Sequence, residues 1–195
     1  MKEFNESTFN NNWVEYYTTL QYTKCLDLFD VDNLCKKLKE SPGAIQEDSG
    51  LAYPGGLLEH IMLSLKISER LAKLMSGTFT IDYDSLKKVC VLMHLSKTEM
   101  FIKNDNEWEV SKRGMNYKFA SLEGCLKAGE RSALMYLNLG GKLTPIEYEA
   151  MKAMDKDPEE FQNGKYFMNI MTVIIRQAND LAYLIAKEKY GKQLI

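Results

Sequence analysis

The sequence predicts a single, mostly helical domain with about seven helices and a small β-hairpin near residues 100–119. Most of the chain carries apolar residues at helical spacing, and glycine or proline stands at the ends of those segments. Only the stretch near residues 100–119 changes to short β-type runs. A chain of 195 residues that is 45% hydrophobic can bury one core without being divided into two domains.

The N-terminal quarter predicts two short helices that pack on a core spanning residues 50–188. Residues 1–12 are polar and rich in Asn, so we expect a frayed lead-in. Ser41, Pro42 and Gly43 end the second helix, and residues 44–56 are expected to form a loop. The apolar positions that define the two helices are Trp13, Tyr16, Tyr17 and Leu20, and then Val31, Leu34, Cys35 and Leu38.

The two central helices are predicted over residues 57–75 and from an N-cap at Asp84 and Ser85 to about His94. Each contains one of the two histidines of the chain. His60 lies beside the apolar stripe of the first helix, and His94 lies at the inner edge of the second helix near its end. An imidazole directed into a helical core needs a hydrogen-bond partner, so an ordinary core histidine bonded to a carbonyl or carboxylate is one interpretation of each.

The C-terminal half continues the helical pattern after a β excursion. Runs at residues 100–102, 108–110 and 117–119 predict a hairpin or a three-stranded unit, and helical pattern resumes over residues 121–139. Thr144, Pro145 and Glu147 form a capping box that starts a helix to about Met154. An acidic loop over residues 155–164 precedes a last helix over about 169–189, with an expected inner face of Ile170, Val173, Ile174, Ala178, Leu181 and Leu184.

The net charge and the cysteine spacing of the chain indicate which binding partners and which cellular compartment to expect. The formal net charge of -2 and a pI of about 5.8 provide no bulk basic field for nucleic acid. The four cysteines have no CxxC spacing, so we expect free thiols in a reducing compartment, with no disulfide and no zinc knuckle. We predict a cytoplasmic protein without a membrane segment, because the chain has neither a signal-like leader nor an apolar run of about 18 residues.

Two histidine motifs resemble those of the HD superfamily of metal-dependent phosphohydrolases. The sequence YPGGLLEH ends at His60, and about 34 residues later the sequence HLSK runs from His94 to Lys97. The corresponding family motifs are a PGGLxEH helix start and HDxxK. Residues 129–132 and 176–182 are similar to later helices of the family, so the resemblance covers about residues 50–188. The likeness is to small stand-alone HD proteins of gut bacteria and their phages.

The resemblance implies a metal site built from one His, a His-Asp pair and a late Asp. His60 and His94 match, but Leu95 follows His94 where the family has Asp. The late Ala-Asn-Asp-Leu pattern places Asn179 in the metal-binding position, with Asp180 beside it. Two imidazoles and an amide oxygen are a poor set for Mg²⁺, so this site is expected to hold one divalent transition metal weakly or none.

The resemblance also leaves two functions open. Lys97, Arg131 and Arg176 are candidates for a phosphate-binding cleft, with solvated surface charges as the alternative. The first function is an HD-like protein that binds or weakly hydrolyses a phosphate-containing small molecule such as a nucleotide. The second is a catalytically inactive HD scaffold, which a phage could encode, serving as an interaction or structural protein. The sequence leaves the question of a homo-oligomer open.

Overall fold

The computed structural model describes residues 3–154 and 169–191 of the chain. The described part is mostly helical with one two-stranded antiparallel sheet, so the predicted fold class is confirmed. The sheet pairs β1, Phe101–Lys103, with β2, Tyr117–Phe119. The helices are α1, Glu6–Tyr22; α2, Val31–Glu40; α3, Gly56–Met75; α4, Tyr83–Leu92; α5, Lys97–Met100; α6, Glu107–Arg113; α7, Ala128–Asn138; α8, Pro145–Ala153; and α9, Ile170–Tyr190.

Helix α3 lies at the centre of the packing. It packs along α9 on one side and α4 on another, while α1 and α2 pack against it from the N-terminal part of the chain. Tyr16 and Leu20 of α1 and Leu38 of α2 are fully buried in the same apolar core as residues of α3 and α4. The Tyr16 hydroxyl also donates a hydrogen bond to the Val91 carbonyl oxygen at 3.1 Å, which ties α1 to α4. The N-terminal helices thus help to bury the two elements that carry the histidines.

The glycine pair before α3 performs two different tasks. Gly55 adopts φ +80, a left-handed conformation that glycine tolerates without steric cost. Gly56 begins the helix so close to the preceding loop that a Cβ there would lie 2.3 Å from the Leu51 carbonyl oxygen. The pair therefore allows the loop to pack directly on the first turn of α3, one turn before His60.

Substituting Gly56 by Ala is expected to lower the free energy of unfolding by about 2–3 kcal/mol, because the backbone at Leu51 must move to admit the methyl group. Gly77→Ala is the matched control, since a Cβ at Gly77 meets nothing within 4 Å. We expect that control to change stability by less than about 0.5 kcal/mol. Urea unfolding of both variants measures the difference, and equal effects would contradict the tight packing at Gly56.

The segment after α5 forms a β-hairpin with helix α6 inserted between its two strands. Phe101 pairs with Phe119 across the two strands, as the first and third β-type runs predict. The predicted middle strand at residues 108–110 is wrong, because this segment belongs to α6. The Asn106 side chain accepts hydrogen bonds from Trp108 N and Glu109 N, and Gly114 at φ +61 ends the helix. These two caps override the β propensity of the residues between them.

Three predictions about helix starts are also wrong. The expected frayed lead-in is helical from Glu6, because the Asn5 side chain caps α1 by accepting from Thr8 N and because Phe9 is buried. The helix predicted from residue 121 begins only at Ala128. The cap of α4 is Asp82 and not the predicted pair Asp84 and Ser85, because the Asp82 side chain accepts from the backbone N–H groups of both those residues. The predicted acidic loop at residues 155–164 lies outside the described residues.

The second half of α9 buries a different face from the one the apolar pattern predicts. Leu181 and Leu184 are 40% and 57% exposed, whereas Asn179, Ala182 and Ala186 are buried. Small alanines allow α9 to approach its neighbours closely, and this arrangement turns Asn179 toward the core. The apolar pattern alone predicted that the larger side chains, Leu181 and Leu184, would form the buried face of this part of α9.

Among the described helices, none combines the length and apolarity needed to cross a membrane.

Candidate functional site

Three elements that are distant in sequence meet at the two histidines. His60 lies in the second turn of α3, and His94 lies in the turn that directly follows α4. Asn179 lies near the middle of α9. His60 and His94 are fully buried and Asn179 is 5% exposed, so these three side chains form a polar cluster inside the core.

The Asn179 amide oxygen joins the two imidazoles. Its Oδ1 lies 2.8 Å from His60 Nε2 and 3.0 Å from His94 Nε2. A carbonyl oxygen has two lone pairs and can accept both bonds, which places the proton of each neutral imidazole on Nε2. The ring centroids lie 4.8 Å apart at an interplanar angle of 68°, an edge-to-face contact. We call His60, His94 and Asn179 the His–Asn–His cluster.

Both imidazoles of the His–Asn–His cluster are held neutral. Burial lowers the pKa of His60 to about 3, and the nearby Lys97 charge adds to the effect. Burial also lowers the pKa of His94 well below its ordinary value, with further contributions from Lys97 and from His60. The hydrogen bonds to Asn179 oppose these shifts but are the smaller influence.

Lys97 lies beside the cluster at the start of α5 and is only 7% exposed. Its Nζ donates a hydrogen bond to the Tyr183 hydroxyl at 2.7 Å. The Nζ lies 5.3 Å from the centre of the Tyr183 ring, so the cation contacts the hydroxyl at the ring edge and not the ring face. Within residues 3–154 and 169–191, no carboxylate forms an ion pair with Lys97.

Tyr183 completes the site, although it is not among the residues that the sequence predicts there. Its ring centroid lies 4.1 Å from that of His60, and its hydroxyl donates to the Gly43 carbonyl oxygen at 3.3 Å. Tyr183 follows Asn179 by one helical turn, so both side chains lie on one face of α9. The i, i+4 spacing could have predicted that Tyr183 lies near Asn179. It predicts a place in the site only when Asn179 is known to face the core.

The other predicted site residues do not join the cluster. Asp180 is exposed, because neighbouring helical positions point about 100° apart and Asn179 takes the inward direction. Arg131 donates from Nη2 to the Glu123 carbonyl oxygen at 2.7 Å and so holds the loop before α7. Arg176 is half-buried on α9, one turn before Asn179.

The residue after His94 faces a different part of the molecule. Leu95 is buried in the apolar core, and it lines, with Leu34 and Met135, a hollow of about 330 Å³ between α2 and α7. The HD resemblance would place a carboxylate next to His94. This chain instead has an apolar side chain that packs away from the His–Asn–His cluster.

The cluster does not fit a two-metal centre of the HD type. No group of three or more His, Cys, Asp or Glu side chains in the described part of the chain is arranged to hold a metal ion. A metal-binding imidazole usually donates its other ring N–H to an acceptor. Neither His60 Nδ1 nor His94 Nδ1 has such a partner among the described residues, while both Nε2 atoms are engaged by Asn179. The arrangement is that of a hydrogen-bonded core cluster.

Comparison of the chain with protein-family models, with curated proteins and with solved structures gives no match. The fold and the cluster define the chain as a mostly helical protein with a buried His–Asn–His cluster and an adjacent buried lysine.

Proposed function

We propose that the chain is an HD-like protein that binds a phosphate-bearing small molecule, such as a nucleotide, through Lys97 and does not hydrolyse it at a two-metal centre. The observation that supports binding is the burial of Lys97 beside the His–Asn–His cluster without a carboxylate ion-pair partner in the described structure.

A buried ammonium is costly unless an anion compensates it. The effective penalty for burying one ion is several kcal/mol, and a phenol oxygen offsets only part of it. The two imidazoles beside Lys97 are neutral, so they do not compensate the positive charge of its ammonium group. A phosphate oxygen would supply both the charge and a strong hydrogen-bond acceptor for Nζ.

The lack of hydrolysis follows from the donor set. Two-metal phosphoester hydrolysis needs ligands that hold both metal ions and orient the attacking water. At this site the candidate ligands are two neutral imidazoles and one amide oxygen, and the position after His94 is the apolar Leu95. Such a set offers no bridging carboxylate.

Binding is tested with inorganic phosphate and AMP as probes. At a concentration ten times the Kd, either ligand should raise the thermal midpoint of unfolding by about 3–6 °C. Lys97→Met should abolish this rise, because it removes the charge while keeping an unbranched apolar side chain. Lys73→Met is the matched control on the exposed face of α3, and its response should equal that of the wild type.

A second function is the inactive HD scaffold. It is favoured by the hydrogen bonds of Asn179 to both imidazoles, which occupy the Nε2 atoms that would otherwise bind a metal. If neither phosphate nor AMP stabilises the wild-type protein, the binding proposal is wrong and the scaffold is the better account. If nucleotides release phosphate in the presence of Mn²⁺ or Ni²⁺, and His94→Gln abolishes that release, the protein is a hydrolase and the non-catalytic part of the proposal is wrong.

A further inference from the structure

We propose that Tyr183 is an autoinhibitory gate whose hydroxyl occupies the place of a ligand oxygen on Lys97. This inference rests on the proposed function, since it concerns how a phosphate reaches the same ammonium group.

The contacts of Tyr183 place it directly in competition with an anion. Its hydroxyl is the hydrogen-bond acceptor for Lys97 Nζ in the described structure, at 2.7 Å. Its ring lies against the His60 ring at 4.1 Å and thereby covers one face of the His–Asn–His cluster. A phosphate oxygen that bonded Lys97 Nζ in this direction would meet the phenol oxygen, so the two acceptors exclude each other.

The gate can open without disturbing the core. Tyr183 is half-buried, unlike His60 and His94, so its side chain borders solvent while its backbone remains in the middle of α9. Rotation about its Cα–Cβ bond would carry the hydroxyl away from Lys97 and from the Gly43 carbonyl oxygen. The bond to Gly43, at 3.3 Å, holds the closed position against the loop before α3.

The gate also implies a selection among ligands. An anionic oxygen makes a stronger bond to an ammonium than a neutral phenol does, so a phosphate can displace Tyr183. A neutral ligand of the same shape gains no such advantage over the phenol and would leave the gate closed. The site is therefore expected to favour phosphorylated over unphosphorylated nucleosides.

The test measures the Kd for inorganic phosphate by calorimetry in the wild type and in Tyr183→Phe. Removing the competing hydroxyl leaves Lys97 without its acceptor in the free protein, so Tyr183→Phe should bind phosphate about tenfold more tightly. Tyr148→Phe, at an exposed position of α8, is the matched control and should leave the Kd unchanged.

A second measurement follows the gate in the wild-type protein and does not depend on any variant folding. The rate of nitration of Tyr183 by tetranitromethane, read from the peptide that contains it, should rise when phosphate is added. If Lys97→Met abolishes phosphate binding but neither the Kd of Tyr183→Phe nor the nitration rate changes, the gate is wrong and the proposed function stands. If phosphate binds neither the wild type nor Tyr183→Phe, the proposed function itself fails and the gate fails with it.

Discussion

Asn179→Leu is expected to lower the free energy of unfolding by about 2–5 kcal/mol, among the largest effects of any single substitution in this chain. Leucine has nearly the shape of asparagine, but it removes the oxygen that accepts from both His60 Nε2 and His94 Nε2. Each imidazole N–H is then buried without a partner, at a cost of about 1–3 kcal/mol per group. Urea unfolding at pH 7.5, where both histidines are neutral, measures the loss.

Two further variants show whether the acceptor is responsible. Gln177→Leu makes a polar-to-leucine change on the exposed face of α9 and should alter stability by less than about 0.5 kcal/mol. Asn179→Asp keeps an oxygen for both imidazoles and should cost less than Asn179→Leu, while its charge raises the pKa of both histidines. Equal losses in Asn179→Leu and Gln177→Leu would contradict the hydrogen bonds to the two imidazoles.

The stability of the protein is expected to fall steeply as the pH drops below about 6.5. In the unfolded chain both histidines have the ordinary pKa of 6.5, whereas in the fold that of His60 is about 3 and that of His94 is also far lower. Between these values the unfolded state binds more protons, so the stability contribution is fully present above pH 6.5 and is lost as the pH falls. A histidine that stays neutral in the fold contributes about 1.4 kcal/mol per pH unit, so His60 alone accounts for about 2 kcal/mol between pH 6.5 and 4.5, and His94 adds to the same slope. Unfolding measured at pH 7, 5.5 and 4.5 gives the slope.

The double variant His60→Gln with His94→Gln separates the histidines from the carboxylates of the chain. Glutamine can place an amide N–H near the position of Nε2 and keep the bond to Asn179, but it does not titrate in this range. Most of the slope between pH 6.5 and 4.5 should therefore disappear in the double variant. A slope equal to that of the wild type would mean that the buried histidines are not its source.

Much of the site could be anticipated from the resemblance of two motifs. The HD pattern grouped His60, His94 and Asn179, and the structure brings these three side chains into direct contact. It also placed Lys97 nearby, and Lys97 acts on the pKa of both imidazoles. The orientation of Asp180 and the participation of Tyr183 could not be anticipated, because both depend on the rotation of α9 about its own axis.

The sequence by itself determined the features that depend on neighbouring residues. These features depend on interactions over a few positions, so they can be predicted from the local sequence. They are the Thr144 capping box, the glycine pair before α3 and the two strands of the hairpin. The caps of α6 are equally local, but the β-type residues between them obscured that signal.

Only the tertiary structure decided the chemistry of the histidines. Asn179 lies 119 positions from His60 and 85 from His94, and no local pattern determines which atom of its side chain meets them. Burial by α3, α4 and α9 removes the water that would stabilise a charged imidazole, and it leaves the buried Lys97 bonded to the phenol oxygen of the half-buried Tyr183. Desolvation and long-range partners arise from packing, so the protonation of the cluster and the hydrogen bond between Lys97 and Tyr183 are properties of the fold.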